Sequence, residues 1–513
     1  MENAVNTLPA TGSLHPVVII GGGPAGSTAA ALLAREGVDV VLLEREKFPR
    51  YHIGESLLAS CPPVLELSGA LSKVEAAGFV DKRGGLFRWG PEGDWVINWQ
   101  EIYGENRRSW LVDRSEFDKI LLDHARDQGA RVVEEATVQE VEFEDGRPVA
   151  VRWKGPDGQQ SERLACSWVI DASGRAGVLS QQTFRNREHH KVFQNVAVWG
   201  YWKGGKTLPA TPPGGLNSIS APNGWYWLIP LADGRLSAGF VTHRDAFRER
   251  RAEFSSLDDM VKALMAESDD VRPLIEGCEF IGHARAEQDY SYAASRFCDP
   301  GYMLAGDAAC FLDPLLSTGV HLALYSATVA AAGVLAMRDG TVTEQEALDF
   351  YEYCYRRSYA RLLTLVSGMY EQYGGRQSYF WSAHQLSHQV PTLDRQTVTN
   401  RDFADISAGL TDLAEAGDMA SEGRRIATED LLRDAHQAQQ RAIRLGTSRS
   451  ASPLDFAPAH WEPVNGHETG SGLTLVTSPR LGLARISPPG QVTPDEAHTT
   501  PTEPPTPSDL LTP

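Results

Sequence analysis

The sequence has 513 residues and sets 48 Lys+Arg against 67 Asp+Glu, a formal net charge of −19. So acidic a chain lacks the basic stripe that nucleic acid requires, and its length implies two or three domains around a large core. With 42% apolar and 22% charged residues it has a folded, globular composition, which excludes a disordered chain.

Six cysteines (Cys61, Cys166, Cys278, Cys298, Cys310 and Cys354) are scattered without a C-x-x-C pair. That spacing points away from a disulfide framework and towards a reducing compartment. The 14 histidines show no ligand spacing either, so no metal is expected. No unbroken apolar run reaches the roughly 18 residues that cross a bilayer, so no transmembrane helix is expected. The N-terminus lacks the basic start and apolar centre of a secretory signal. The expectation is a cytoplasmic protein with neither nucleic acid nor membrane as partner.

In chain order, apolar runs at 16–23 and 38–44 flank a helical pattern at 25–37, which is a βαβ opening. A helix is predicted at 115–128, strands at 130–144, 148–155, 166–174 and 224–231, and a helix at 256–268. Two long helices follow at 319–340 and 344–373. Residues 402–445 read as a polar helical stretch with a weak apolar stripe, able to dock on a surface but not to found a core. Residues 451–513 hold 12 of the 30 prolines with seven acidic and two basic residues, and are expected to be disordered.

Gly21-x-Gly23-x-x-Gly26, with Ala25 inside it, follows the first strand and opens the helix. The first glycine permits a tight turn, the second lets backbone approach a pyrophosphate, and the third lets helix and strand pack closely. Helix N–H groups and dipole then face the phosphates. Glu44 ends the next strand, 18 residues after Gly26, where a carboxylate can take both ribose hydroxyls, and Arg45 is placed to meet the adenylate. The segment Tyr302-Met-Leu-Ala-Gly306-Asp307 runs from strand into Gly-Asp and then a helix. It resembles the late G-D segment with which flavoprotein hydroxylases contact FAD, so Gly306 and Asp307 are read as flavin contacts.

Further segments narrow the family. They are Gly54-Glu55-Ser56, Lys82-Arg83-Gly84-Gly85-x-Phe87-Arg-Trp89, Trp225-x-Trp227-x-Ile229-Pro230, and Phe311-x-x-Pro314-x-x-Ser317-x-Gly319. Together they resemble the FAD-dependent halogenases over about residues 15–385, ending with Ser378-Tyr379-Phe380-Trp381. Within that family the likeness is to members acting on phenolic or carrier-tethered groups in antibiotic pathways, and less to those acting on free tryptophan. No counterpart is expected for residues 390–513.

The resemblance implies an α/β (α+β) fold: a Rossmann-like FAD-binding domain from 15–60, 105–180 and 285–345, with a β-rich substrate domain from 61–104 and 181–284. A helical region at 346–445 and a disordered tail at 446–513 complete the expected domains. It implies FAD used as FADH2, supplied by a separate flavin reductase, with O2 and chloride or bromide as co-substrates. Lys82, in a glycine-rich turn, is implied as the catalytic lysine that delivers electrophilic halogen to an aromatic small molecule. Thr318 and Gly319 are implied as the halide site, and Trp225 and Trp227, both on one strand face, as the screen between flavin and substrate. Ser56, Arg114 (in Arg114-x-x-Phe117-Asp118) and Asp289 complete the expected flavin neighbourhood. Arg356, Arg357 and Arg361, partly on one helix face, are expected to meet an acidic carrier that presents the substrate as a thioester. The competing readings are an aromatic hydroxylase on the same fold, a flavin-dependent prenyl reductase, and a flavin-binding interaction protein without turnover.

Overall fold

The computed structural model describes residues 15–89, 94–103, 107–155, 161–371, 412 and 472–485. Its organising element is a six-stranded sheet with the first strand, Val17–Ile20, near its middle. That strand pairs in parallel with Val40–Leu43 on one side and Trp168–Asp171 on the other. Arg131–Val133 extends one edge, and Tyr302–Leu304 and then Cys298–Asp299 extend the other. The three central strands are buried throughout, as their near-continuous Val, Ile and Leu runs require in a sheet covered on both faces. Chain segments nearly 300 residues apart therefore meet here, and the late strand Tyr302–Leu304 delivers Gly306 beside the opening helix.

The second layer is a mostly antiparallel sheet of eight strands. Its order is Cys310–Phe311, Glu279–Ala294, Arg187–Lys203, Arg235–His243, Gly224–Pro230, Leu216–Ala221, Gly84–Arg88 and Asp94–Asn98. A separate apolar cluster, including Tyr226, Leu228, Phe240, Met260 and Leu264, lies between this sheet and the helix Leu257–Glu267. Residues 61–76, expected with the β-rich part, instead form the helices Cys61–Ser68 and Leu71–Ala76. Their Val64, Leu65 and Val74 pack with Phe117, Leu121 and Leu324. Lys82 likewise lies in no turn: Val80–Lys82 is a short strand whose Lys82 pairs with Ser109.

Two long helices close the molecule, Thr318–Arg338 and Glu344–Glu371. The first is long and apolar enough to cross a bilayer, with a mean hydropathy of 1.7, yet that stretch is buried inside the protein. It passes on its mean hydropathy and not as an unbroken apolar run, since scattered polar residues interrupt it. Its Ala-rich surface packs between the opening helix and the helix Glu344–Glu371 as a core element.

The expected tail is corrected in part. Residues 472–485 form a β-hairpin of Leu473–Val476 and Gly482–Arg485, with Leu473, Leu475, Leu481 and Leu483 buried. The alternation of Leu with polar residues is a strand pattern that the surrounding proline content concealed. Except for Asp412, the polar stretch 402–445 lies outside the described residues, as does the Ser378–Trp381 segment.

Candidate active site

A cleft of ≈ 560 Å³ runs from the glycine turn, past Glu44 and the segment Tyr51–Ser56, to Trp225, Trp227 and the start of the Thr318 helix. At its sheet end Gly21 has φ +103°, a left-handed conformation that a side chain disfavours. A Cβ on Gly26 would stand 1.9 Å from the Gly21 carbonyl oxygen, so helix and turn touch there. At Gly23 it would meet only Arg50 Nη2, at 3.4 Å. Backbone is therefore exposed to the cleft at the helix N-terminus, which has no side-chain cap.

Glu44 is buried and lines the cleft. Its Oε2 accepts from the Gly22 amide at 2.6 Å and its Oε1 from the Glu46 amide at 2.8 Å. Each oxygen keeps a second lone pair for a ribose hydroxyl. Arg45 lines the cleft with its side chain 62% exposed, pairing loosely with Glu46 at 3.3 Å. Gly306 and Asp307 line the opposite wall, where Gly306 has φ +59°. Burial pushes the Asp307 carboxyl up, against the pull of Arg175, Arg114 and Arg187. An uncapped helix end, an open glycine and a carboxylate pinned by backbone amides fit the pyrophosphate and ribose of an FAD.

Arg114 faces the cleft but is committed to the protein. It grips Asp118 in bidentate fashion at 2.7 and 2.9 Å and donates to the carbonyls of Ile53 and Gly54. It thus anchors the loop that carries Glu55 and Ser56. Asp289 lies on the strand Glu279–Ala294 opposite Asn195; its side chain, and its expected approach to the flavin ring, lie outside the described residues.

Lys82 is 2% exposed and stands behind Ser56, which lines the cleft. Its Nζ donates to Ser56 Oγ at 2.8 Å and to the Leu57 carbonyl at 3.0 Å, and lies 4.8 Å from the centroid of the Trp99 ring. Burial lowers its pKa to about 7, with Cys61 opposing slightly. Near neutral pH this amine is therefore neutral in a large fraction of molecules. Arg83 points elsewhere and pairs with Asp81.

Trp225 and Trp227 share one face of Gly224–Pro230, ring centroids 6.1 Å apart, and both line the cleft. Trp225 Nε1 donates to Tyr370 Oη at 2.8 Å, and Trp227 Nε1 to Ser237 Oγ at 3.2 Å. Gly239 pairs with Trp227 across the sheet, and a Cβ there would strike the indole at 2.1 Å. Trp227 therefore lies flat over a glycine. Ser317 enters the long helix with φ +59° and leaves its N-terminus without a side-chain cap. Beside it Thr318 Oγ1 is buried with no hydrogen-bond partner among the described residues, and a Cβ on Gly319 would meet nothing within 4 Å. This corner offers unspent donors and open space to a small anion.

Sequence reasoning missed several groups. Asp313, within the Phe311-x-x-Pro314 segment, accepts from Asn195 and Tyr370 at 2.8 Å, and burial raises it to about 6. Glu55, quoted only as part of a motif, lines the cleft and accepts from Tyr201 at 2.8 Å. His321, one turn into the long helix, joins Ser60 and Asp412 at 2.8 and 2.7 Å. Their partners are 57 to 261 residues away in sequence, so no spacing could reveal them. The expected carrier-docking face is corrected. Arg361 is 1% exposed and paired with Asp412, Arg357 is buried, and Arg356 is held by Glu352 and two carbonyls.

A glycine turn suited to a pyrophosphate on a mostly parallel sheet, opening onto an indole-walled cleft with a buried amine behind its wall, fits an FAD-dependent oxidoreductase. The family model described as tryptophan halogenase matches residues 16–108 and 97–413. The chain belongs to that family: it is a flavin-dependent halogenase, drawing on FADH2, O2 and halide. It is 38% identical over 501 residues to a tryptophan 2-halogenase of Chondromyces crocatus, covering 91% of this chain and 94% of that one. The alignment reaches well beyond residue 390, which corrects the expectation that this region has no counterpart. A sulochrin halogenase of Aspergillus terreus is 36% identical over 380 residues, 69% of each chain. Among solved structures, the myxobacterial chondrochloren halogenase CndH has a TM-score of 0.68 at 32% identity, covering 78% of this chain and 97% of that one. The flavin-dependent halogenase CmlS has 0.66 at 29%, covering 84% and 77%.

Proposed function

We propose that this halogenase chlorinates an electron-rich aromatic ring, phenolic in type, in secondary-metabolite biosynthesis in the cytoplasm, with a separate reductase supplying its flavin. The observation that carries the reading is Lys82, a buried amine of pKa about 7 set one hydrogen bond behind the cleft wall. When bound as FADH2, the cofactor supplies with O2 the oxidising equivalents that turn halide into hypohalous acid. Gly21, Gly23, Ala25, Gly26, Glu44, Arg45, Arg114, Gly306 and Asp307 hold it along the cleft. Thr318 and Gly319 offer backbone donors and the Thr318 hydroxyl to the halide. Trp225 and Trp227 keep the organic ring away from the flavin, so that oxidant and not oxygen is passed on. Lys82 takes up the halogen or hydrogen-bonds hypohalous acid, with Ser56 orienting its Nζ, and delivers it to the ring. Chloride is the proposed ion on abundance, with bromide accepted by the same donors.

One specific observation favours a second substrate, free tryptophan: the relative spanning 91% of this chain carries that substrate in its name. Carrier delivery no longer has the Arg356–Arg361 face in its support. The test supplies reductase, NADH and chloride with 4-hydroxybenzoate, the same acyl group as a carrier-protein thioester, or tryptophan, and reads product mass. A chlorinated phenol supports the proposal. Chlorination of tryptophan alone replaces it with the second reading.

A further inference from the structure

Halogenation with FADH2 consumes one proton that the substrates do not supply. FADH2, O2, Cl⁻ and H⁺ give FAD, HOCl and H2O: FADH2 and chloride each lose two electrons, and O2 takes up four as its O–O bond breaks. HOCl and the arene then give chloroarene and water, with no net proton. That proton must reach the indole-walled part of the cleft from outside.

We propose that Glu55 is the proton donor to this cleft, recharged from the protein surface through Tyr201 and Tyr51. Glu55 is 3% exposed and lines the cleft. Its Oε1 accepts from Tyr201 Oη at 2.8 Å, while Oε2 is buried with no hydrogen-bond partner of ordinary length among the described residues, although the Ser237 hydroxyl is near enough to act on the carboxyl. A buried carboxylate oxygen left bare is costly, whereas a carboxylic acid can turn its O–H towards a reacting group in the cleft. Tyr201 Oη lies 2.9 Å from Tyr51 Oη, which accepts from Trp199 Nε1 at 2.7 Å. Since Tyr201 donates to Glu55, Tyr51 donates to Tyr201, and the chain points inward. At its outer end Tyr51, itself on the wall of the cleft, is 41% exposed, with Arg285 stacked on its ring.

In the transfer, the Oε2–H bond of Glu55 breaks as the O–H bond of the departing water forms. Tyr201 passes its hydroxyl proton to Oε1 and receives that of Tyr51, which takes one from solvent. The groups facing Glu55 keep it protonated near neutrality. Burial raises it to about 7, Ser237, Tyr201 and Arg235 oppose the rise, and Asp113 adds to it. Tyr201 itself is pushed far up by burial and by Glu55, so it relays a proton without ionising.

The test uses Glu55→Gln, which still accepts from Tyr201 but has no acidic proton to give. The full chain, with reductase, is assayed on whichever of the three probes above the wild type chlorinates. Turnover is expected to fall by about tenfold to a hundredfold, with flavin content unchanged. Tyr201→Phe breaks the relay and is expected to slow turnover too while keeping the acid. Infrared spectra of flavin-free protein give a readout independent of substrate. The protonated-carboxyl band that titrates away near neutral pH, to which Asp313 also contributes, should be equally strong in wild type and Tyr201→Phe and should lose the Glu55 share in Glu55→Gln. Turnover of Glu55→Gln within about twofold of wild type, or a band undiminished in it, would overturn the proposal.

Discussion

At the scale of single residues, Lys82 carries two opposed demands. The halogen-accepting role proposed for it calls for an amine that is uncharged near neutral pH, and the fold provides one by placing the nitrogen where water does not reach. Desolvation costs stability, because the unfolded chain binds a proton on this residue that the folded chain gives up between pH about 7 and the ordinary lysine range. Stability therefore climbs with pH across that window, by up to ~1.4 kcal/mol per pH unit from this group. Lys82→Met removes the climb and fills the same space. Denaturant unfolding at pH 7, 8 and 9 should show wild type gaining on the variant at each step. A constant difference would mean that the folded amine is not depressed. The same variant should keep its flavin and lose chlorinated product by at least about a hundredfold.

At the scale of elements, the proposed pyrophosphate and halide sites share one device, a helix N-terminus left without a side-chain cap. At the sheet end, Gly23→Val puts its branch into space where only Arg50 Nη2 stands, 3.4 Å from Cβ. The flavin-free variant should melt within error of wild type, yet purify colourless, because the pyrophosphate needs that space. A yellow protein would contradict the fit. At the other end, Gly319→Val fills the open corner beside Thr318. The Michaelis constant for chloride should rise by about tenfold, one lost charge-assisted contact, while flavin binding holds. An unchanged chloride dependence would move the halide site elsewhere. The two ends were not equally legible in the sequence. The glycine turn, its helix and Glu44 are local, so period and spacing displayed them together. The Trp225-x-Trp227 face was legible as a strand pair, but Gly239 beneath Trp227 was not, because that pairing exists only across the sheet. Glu55 met its partner Tyr201 at a separation of 146 residues, beyond any local pattern.

Across the whole molecule, the hairpin 472–485 returns to the surface of the long buried helix, and composition misled about it. Proline and acid content averaged over 63 residues reads as disorder, while four leucines at alternating spacing are enough to dock a short ribbon. Which interactions hold it is a matter of magnitude. Arg480 pairs with Glu36 and Asp339 at 2.6 and 2.7 Å, and Arg485 with Glu346 at 2.8 Å. The two arginine side chains are 42% and 58% exposed, so solvent screens both, and each Arg480 pair is worth roughly 0–1 kcal/mol. Burying one leucine is worth about 1.5–3 kcal/mol, and there are four. Ordering the ribbon offsets part of that gain, but the leucines set its sign. Arg480→Ala should therefore leave the melting temperature within about a degree of wild type. Leu475→Ala and Leu483→Ala, or removal of residues 472–513, should lower it by several degrees, since a buried Leu→Ala change costs about 2–5 kcal/mol. Calorimetry of the four proteins decides between apolar docking and ion pairing. A larger drop for Arg480→Ala than for either leucine variant would reverse the assignment.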